Sequence, residues 1–179
     1  MEFSYELKVP KDRIAVLIGT KGSTKRKIEQ ITHAKIDIDS DEGDVILSGT
    51  DSLGLFTARE VIRAIARGFN PEIALLVLKP EYSLEIINMQ DFIGKSKKSL
   101  ERVRARVIGT EGKTRKFIED ATETYIVIYG KTIGIIGEIE KVTLARQAIE
   151  TLLTGSPHAG VYRWLDKKRK EMRRDEVSL

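Results

Sequence analysis

The chain of 179 residues contains no cysteine and only two histidines. Without cysteine there are no disulfide bonds and no thiolate zinc sites, and two histidines far apart in the chain do not form a metal centre. We therefore expect no metal ion, no cofactor and no redox chemistry. No apolar run approaches the length of a membrane span, and the N-terminus lacks a basic region followed by an apolar one. These absences predict a cytoplasmic protein that does not bind membranes.

The sequence also lacks the residue combinations on which enzymes depend. We find no nucleophile beside a base, no pair of carboxylates placed for acid–base chemistry and no cluster of metal ligands. The acidic segment 40–44 lacks the glycine and the terminal glutamate of a calcium-binding loop, and we interpret it as a solvated turn. We therefore expect no catalytic residue.

A twelve-residue segment occurs twice in the chain. Residues 17–28 read LIGTKGSTKRKI, and residues 107–118 read VIGTEGKTRKFI. One offset of 90 residues aligns both glycines of each Gly-x-x-Gly motif, which is typical of an internal repeat. The hydrophobic content of 41% supports globular folding, and the repeat favours two small domains over one.

Each Gly-x-x-Gly motif follows an apolar helical stretch and precedes a basic one, which predicts a tight turn between two helices. Glycines let the backbone approach a ligand closely, and the amides that open the second helix can bind an anion. A nucleotide-triphosphate loop is excluded, because Val107 stands where that motif requires glycine. A third pair, Gly134 and Gly137, has no basic residue beside it, and we interpret it as part of a strand or turn.

The periodicity of apolar residues predicts the same order of elements in both halves of the chain. Each half should contain a strand, two helices joined by the glycine turn, a hairpin and a closing helix. This order predicts an α+β fold. We expect a first domain over 1–70, a linker over 71–81, a second domain over 82–155 and a basic helical extension over 156–179.

The formal net charge of the chain is +4, and its cations are clustered. The helix before the second glycine motif is more basic than its counterpart in the first half. In the C-terminal extension, lysines and arginines occupy one face, and either a solvated face or a nucleic-acid contact explains them. Trp164 in this extension is either a packing anchor or a platform for a base.

The repeated unit of strand, helix, Gly-x-x-Gly, helix, strand, strand and helix resembles the type I K-homology (KH) domain. The resemblance implies two tandem KH domains, each with a three-stranded sheet that carries helices on one face. In KH domains the Gly-x-x-Gly loop clamps the backbone of about four unpaired nucleotides, whose bases lie in an apolar groove. The resemblance therefore implies a protein that binds single-stranded RNA.

The residues that this resemblance assigns to RNA form three groups. The two loops would face phosphates, through Gly19, Thr20, Lys21 and Gly22 and through Gly109, Thr110, Glu111 and Gly112. The helices that follow would add polar and positive groups, namely Lys25, Arg26, Lys113, Thr114, Arg115 and Lys116. Ile18 and Ile108, at the ends of the helices before the loops, would line the grooves. The helix before the second loop would also add charge through Arg102, Arg104 and Arg106. Glu111 departs from the usual loop, which often has a basic residue there.

Two further segments carry a closer resemblance. Residues 91–96, DFIGKS, precede a basic helix, and the tail 162–165, YRWL, leads into a basic run. With the two-domain layout, these segments are similar to the archaeal small-subunit ribosome-assembly proteins of the "partner of Nob" family. That resemblance implies binding to precursor rRNA near the 3′ end of the small-subunit rRNA, with the endonuclease that matures this end and other assembly factors as partners. The alternative is an adaptor whose KH modules bind proteins instead of RNA.

We also expect the two domains to bind RNA unequally. The helix before the second loop brings several cations towards that loop. The hairpin of the first domain instead carries five acids, Asp37, Asp39, Asp41, Glu42 and Asp44. Repulsion between these acids and phosphates would weaken the first site.

Overall fold

The computed structural model describes all residues from Met1 to Leu179. Its contacts divide the chain into two compact units, Met1–Leu84 and Glu85–Leu179, which we call the first and second domains. The boundary falls inside a strand, whereas the sequence places the start of the second domain at residue 82. No helix combines the length and the apolar character needed to cross a membrane.

The first domain has the predicted order of elements. These are β1 (Phe3–Lys8), α1 (Lys11–Ile18), α2 (Ser23–Thr32), β2 (Lys35–Asp39), β3 (Asp44–Gly49) and α3 (Ser52–Ala66), followed by the short helix α4 (Pro71–Ala74). The strands form an antiparallel sheet in the order β1-β3-β2, so that β2 is an edge strand. Helix α3 begins where the Asp51 carboxylate accepts hydrogen bonds from two backbone amides, which is a common N-terminal cap.

The second domain repeats this order and adds two helices. Its elements are β4 (Tyr82–Asn88), α5 (Gln90–Ile93), α6 (Lys97–Ile108), α7 (Lys113–Thr122), β5 (Tyr125–Tyr129), β6 (Thr132–Glu138), α8 (Ile139–Leu153) and α9 (His158–Ser178). The sheet order is β4-β6-β5, which again leaves the fifth strand of the chain at an edge. Gly134 and Gly137 lie in β6, as predicted. The α+β class and the tandem arrangement are therefore confirmed.

The same hydrogen bond holds the edge strand in both domains. The Glu29 carboxylate accepts from the Ile36 amide at 3.0 Å, and the Glu119 carboxylate accepts from the Ile126 amide at 3.0 Å. An edge strand has backbone groups without a strand partner, and this bond satisfies one of them from the second helix of the domain. The bond thus places β2 beside α2 and β5 beside α7.

Alternation along these strands separates a core face from an outer face. Ile36, Val45 and Leu47 are buried on the face that meets the helices. Asp37, which lies between core positions on β2, is exposed. The apolar period of two in the sequence therefore places the hairpin correctly.

Helix α9 is part of the second domain. Val161 and Leu165 are buried in its core, and Trp164 and Met172 are partly buried against it. Trp164 therefore has the packing role that was one of its two interpretations. The helix packs on α7 and α8.

Candidate nucleic-acid interface

The two Gly-x-x-Gly loops have the same backbone conformation. Gly19 and Gly109 have φ and ψ of 75° and 174° and of 75° and 172°. Lys21 and Glu111 are left-handed, with φ of 53° and 57°, and the last glycine of each loop is left-handed as well. Three of the four residues of each loop therefore have positive φ, which side chains with a Cβ adopt at a cost.

The first glycine of each loop is required by a close contact within the domain. A Cβ added at Gly19 would lie 2.9 Å from the Cβ of Thr24, and one added at Gly109 would lie 2.7 Å from the Cβ of Thr114. At Gly112 an added Cβ would meet no atom within 4 Å. The first glycine therefore lets the following helix fold against the loop, whereas the last glycine of the second loop has open space beside it.

Thr114 has a packing role instead of the RNA contact expected from the sequence. Its side chain is only 3% exposed, and it lies against Gly109. Its hydroxyl forms a 2.9 Å hydrogen bond with the hydroxyl of Tyr162. The Tyr162 ring also contacts the ring of Phe117, with centroids 4.2 Å apart. A side chain as buried as Thr114 does not reach a phosphate, and it instead ties the loop to the start of α9.

Arg106 is likewise a structural residue. Its guanidinium donates to the carbonyl oxygen of Leu152 at 3.4 Å and to that of Ser156 at 2.5 Å, where α8 ends. Arg13 does the same in the first domain, through the carbonyls of Ile65 and Phe69. The two arginines are not at equivalent positions of the repeat, so sequence comparison did not reveal their shared role. These contacts direct the Arg106 guanidinium to the end of α8, so its Nε and one terminal nitrogen serve the fold instead of the RNA contact expected from the sequence.

The contacts of Arg106 also show which side of α6 faces a groove. Arg102 lies one turn before Arg106 and therefore shares its side of the helix. Arg104 and Ile108 share a different side, away from the α8 end, and both are partly exposed. Helix α7 contacts the edge strand β5, where Arg115 donates to the carbonyl of Ile126 at 3.2 Å.

We call the space between Ile108, the loop 109–112 and β5 the second groove, and its repeat equivalent beside Ile18 and β2 the first groove. Ile36 and Ile126 are fully buried and belong to the cores. Ile38 and Ile128 are partly buried, so the apolar surface left for a base comes from them and from the residues before the loops.

Several predicted cations around the loops have no carboxylate partner. They are Lys21, Lys25, Arg26, Arg102 and Lys113, and all except the partly buried Lys25 are exposed. Arg115 pairs with Glu119 at 3.4 Å and Lys116 with Asp120 at 3.8 Å. The Lys116 pair is largely exposed, and such pairs contribute little and exchange easily with other ligands. Arg104 has a buried Nε that no group of the protein accepts.

The acids of the first hairpin point away from the first groove. Asp37 and Asp39 alternate with core residues and therefore project from the outer face of the sheet. Asp37 pairs with Lys35 at 3.7 Å, and Asp39 accepts hydrogen bonds from the turn amides of Asp41 and Glu42. The expectation that these acids repel phosphates at the first groove is therefore not supported. The prediction that the second domain binds RNA more strongly therefore rests on the cations of that domain.

Two glycine-loop grooves on two three-stranded sheets define a tandem KH protein. A KH-domain model matches residues 4–64, and a model described as a eukaryotic type KH domain, type I, matches residues 83–170. A KH domain-containing protein of Methanocaldococcus jannaschii is 45% identical over 177 residues, which cover 97% of this chain and 77% of that protein. The pre-rRNA-processing protein PNO1 of Coccidioides immitis is 32% identical over 114 residues, which cover 63% of this chain and 45% of PNO1.

Solved structures of similar proteins lead to the same family. Dim2p of Pyrococcus horikoshii, crystallised in a complex with a/eIF2alpha and rRNA, is 45% identical with a TM-score of 0.88, over 95% of this chain and 96% of that one. A protein of unknown function from Aeropyrum pernix is 34% identical with a TM-score of 0.92, over 99% and 96% of the two chains. The chain belongs to the PNO1 family of KH-domain ribosome-assembly proteins. It spans less than half of the fungal PNO1 relative.

The close contact between Gly109 and Thr114 predicts how substitution of each glycine changes the stability of the second domain. We expect Gly109→Ala to lower the free energy of unfolding of the second domain by about 2 to 3 kcal/mol, because it combines a glycine-only backbone conformation with a clash against Thr114. Gly112→Ala, which has free space, should lower it by about 1 kcal/mol. The control is Gly160→Ala in α9, which should stabilise slightly. Urea denaturation measures all three, and equal losses for Gly109→Ala and Gly112→Ala would contradict the contact.

The role of Arg106 is tested in the same way. Arg106→Met keeps the side-chain stem but removes the donors to the α8 end, and we expect the free energy of unfolding to fall by about 2 kcal/mol. Arg102→Met removes an exposed cation without a partner and should change it by less than about 0.5 kcal/mol. Similar losses for both variants would show that Arg106 does not hold the end of α8.

Proposed function

We propose that the protein binds single-stranded segments of precursor ribosomal RNA and acts in rRNA processing of the small subunit. The observation that carries the proposal is the shared geometry of the two loops. Each loop lies at the start of a helix and has two exposed middle residues, a last glycine in the left-handed conformation and nearby cations without carboxylate partners. This arrangement suits a phosphate, because helix N-termini favour negative charge and the missing side chain permits a close approach.

The grooves beside the loops suit unpaired bases. Ile108 and Ile128 leave apolar surface partly exposed at the second groove, and the edge strand β5 adds backbone groups. Arg104, which is partly exposed and has no carboxylate partner, adds a positive charge on the same side of α6. A groove of this kind reads bases that are splayed from a strand, so duplex RNA should bind more weakly.

Relatives support the assignment to ribosomal RNA. Dim2p of Pyrococcus horikoshii was crystallised with rRNA, and the fungal relatives are named for pre-rRNA processing. We propose further that the bound segment lies near the 3′ end of the small-subunit rRNA, and that the maturing endonuclease and other assembly factors are protein partners. The presence of a/eIF2alpha beside Dim2p supports a role with protein partners.

The loops are tested by adding a negative charge to each. Thr110 is exposed and has no positive φ, so Thr110→Asp should leave the fold intact. Repulsion between this carboxylate and a phosphate should weaken binding of a single-stranded RNA by about tenfold, which is the effect of one like charge at close range. The control is Thr110→Asn, which has nearly the same shape without the charge and should stay within about threefold of the unchanged protein.

The same change in the first loop tests the inequality of the domains. Thr20→Asp should weaken binding of the same RNA by less than Thr110→Asp, because the second domain has additional unpaired cations. Fluorescence anisotropy measures the affinities, and circular dichroism checks the fold. If neither Asp variant changes the affinity beyond twofold, the loops are not the RNA site. If Thr20→Asp has the larger effect, the first domain is the stronger binder.

A further inference from the structure

Helix α9 carries two kinds of cation. Lys168 pairs with Glu171 at 3.4 Å, and Arg169 pairs with Asp166 at 3.4 Å. Five other cations on the helix are exposed and have no ion pair. Four of them, Arg163, Lys167, Lys170 and Arg174, share one face, and we call these four residues the α9 row. The fifth, Arg173, lies outside that face and lines a cavity at the end of α7. Asp166 and Glu171 each pair with a cation outside the row, so the row keeps its charge.

The α9 row lies on one side of the helix. Its residues are spaced by four, three and four positions, which places them on one face over a length of about 16 Å. Val161, Leu165 and Met172 occupy the opposite face, which packs against the core of the second domain. The row therefore faces solvent along most of the helix.

The row begins beside the second glycine loop. Tyr162, which precedes the row, bonds Thr114 and contacts Phe117 in the first turns of α7. Further along, Arg169 and Met172 line a small cavity of about 60 Å³ with residues 121–123 at the end of α7. Helix α9 therefore runs alongside α7 in the same direction, and the row leads away from the loop.

A cleft connects the loop to the start of the row. It has a volume of about 540 Å³ and is lined by Arg102, Gly109, Thr110, Lys113, His158 and Tyr162. Arg102 lies on the Arg106 side of α6, so this cleft is on the opposite side of the loop from the second groove. Two cations without an ion pair, Arg102 and Lys113, line this cleft between the loop and α9.

The first domain has a cleft at the equivalent position of the repeat, but the residues that line this cleft are less positively charged. That cleft, of about 590 Å³, is closed by residues after α3, including Asn70, Pro71 and Glu72, instead of by a basic helix. Its lining contains one cation, Lys27, and one acid, Glu72. The extended positive surface is therefore a property of the second domain.

We propose that the α9 row binds the phosphates of the RNA strand that leaves the second loop, so that the second domain holds a longer single strand than its groove alone. The inference rests on the proposed function, since it extends the same RNA across the loop and the cleft. A KH groove engages about four nucleotides. A row of four cations that form no ion pair adds contacts that depend on charge and not on sequence, because phosphates are common to every nucleotide.

The test uses two single-stranded RNAs that share one core sequence. The short RNA has only the length of the groove, and the long RNA extends the core by eight arbitrary nucleotides at each end. The row variant combines Arg163→Gln, Lys167→Gln, Lys170→Gln and Arg174→Gln. The matched control combines Lys168→Gln and Arg169→Gln, which removes two cations that are already paired.

We expect the unchanged protein and the control to bind the long RNA about tenfold more tightly than the short RNA at low salt. The row variant should lose this gain and keep its affinity for the short RNA. The slope of log affinity against log salt for the long RNA should become shallower by about 2 to 3, since each phosphate on a single strand contributes about 0.7.

The outcomes separate the two proposals. If the row variant binds the long RNA as tightly as the unchanged protein, with the same salt slope, the row does not bind RNA and the inference is wrong. If the unchanged protein binds neither RNA, the proposed function fails and the inference fails with it. If the row variant loses affinity for both RNAs while circular dichroism is unchanged, the row supports the groove itself and not an extension of it.

Discussion

The geometry of both Gly-x-x-Gly loops depends on one close contact, between the first glycine of each loop and the threonine five residues later. Because Gly19 and Gly109 have no Cβ, Thr24 and Thr114 lie directly against the backbone of the loop. This contact allows two helices to meet at a turn of only four residues. The turn then places the side chains of its two middle residues in solvent. A residue with a Cβ at the first position would separate the two helices.

The same threonine explains how the two domains differ. In the second domain, the Thr114 hydroxyl meets Tyr162, so that the loop is joined to the beginning of α9. In the first domain, the segment after α3 forms only a short helix, and its Asn70 and Glu72 close the equivalent cleft. One repeat therefore ends in a short neutral or acidic segment and the other in a long basic helix. The second domain thereby acquires a continuous positive surface from its loop to α9.

Much of the fold was predictable from the sequence, because alternation and the 90-residue repeat are local signals. The alternation of Ile36, Asp37 and Ile38 identified a strand of the hairpin, and the repeated glycines located both turns, whereas the edge position of that strand came from the structure. The partners of individual side chains were not predictable. Thr114 and Arg106 lie at positions that suggest RNA contact, yet one is buried under Tyr162 and the other holds the end of α8. Spacing along a helix shows on which side of the helix a residue lies. It does not show which side chain or carbonyl group the residue contacts, because that group belongs to an element distant in the chain.

The central claim, that the two glycine loops hold RNA, is tested most directly by ultraviolet crosslinking of the full-length protein to RNA in the cells that produce it. The crosslinked peptides are then identified by mass spectrometry. The account predicts crosslinks to ribosomal RNA in peptides that contain residues 19–28 and 109–118, with more from the second segment. Crosslinks confined to the outer faces of the sheets, or no RNA crosslinks in either loop segment, would contradict it.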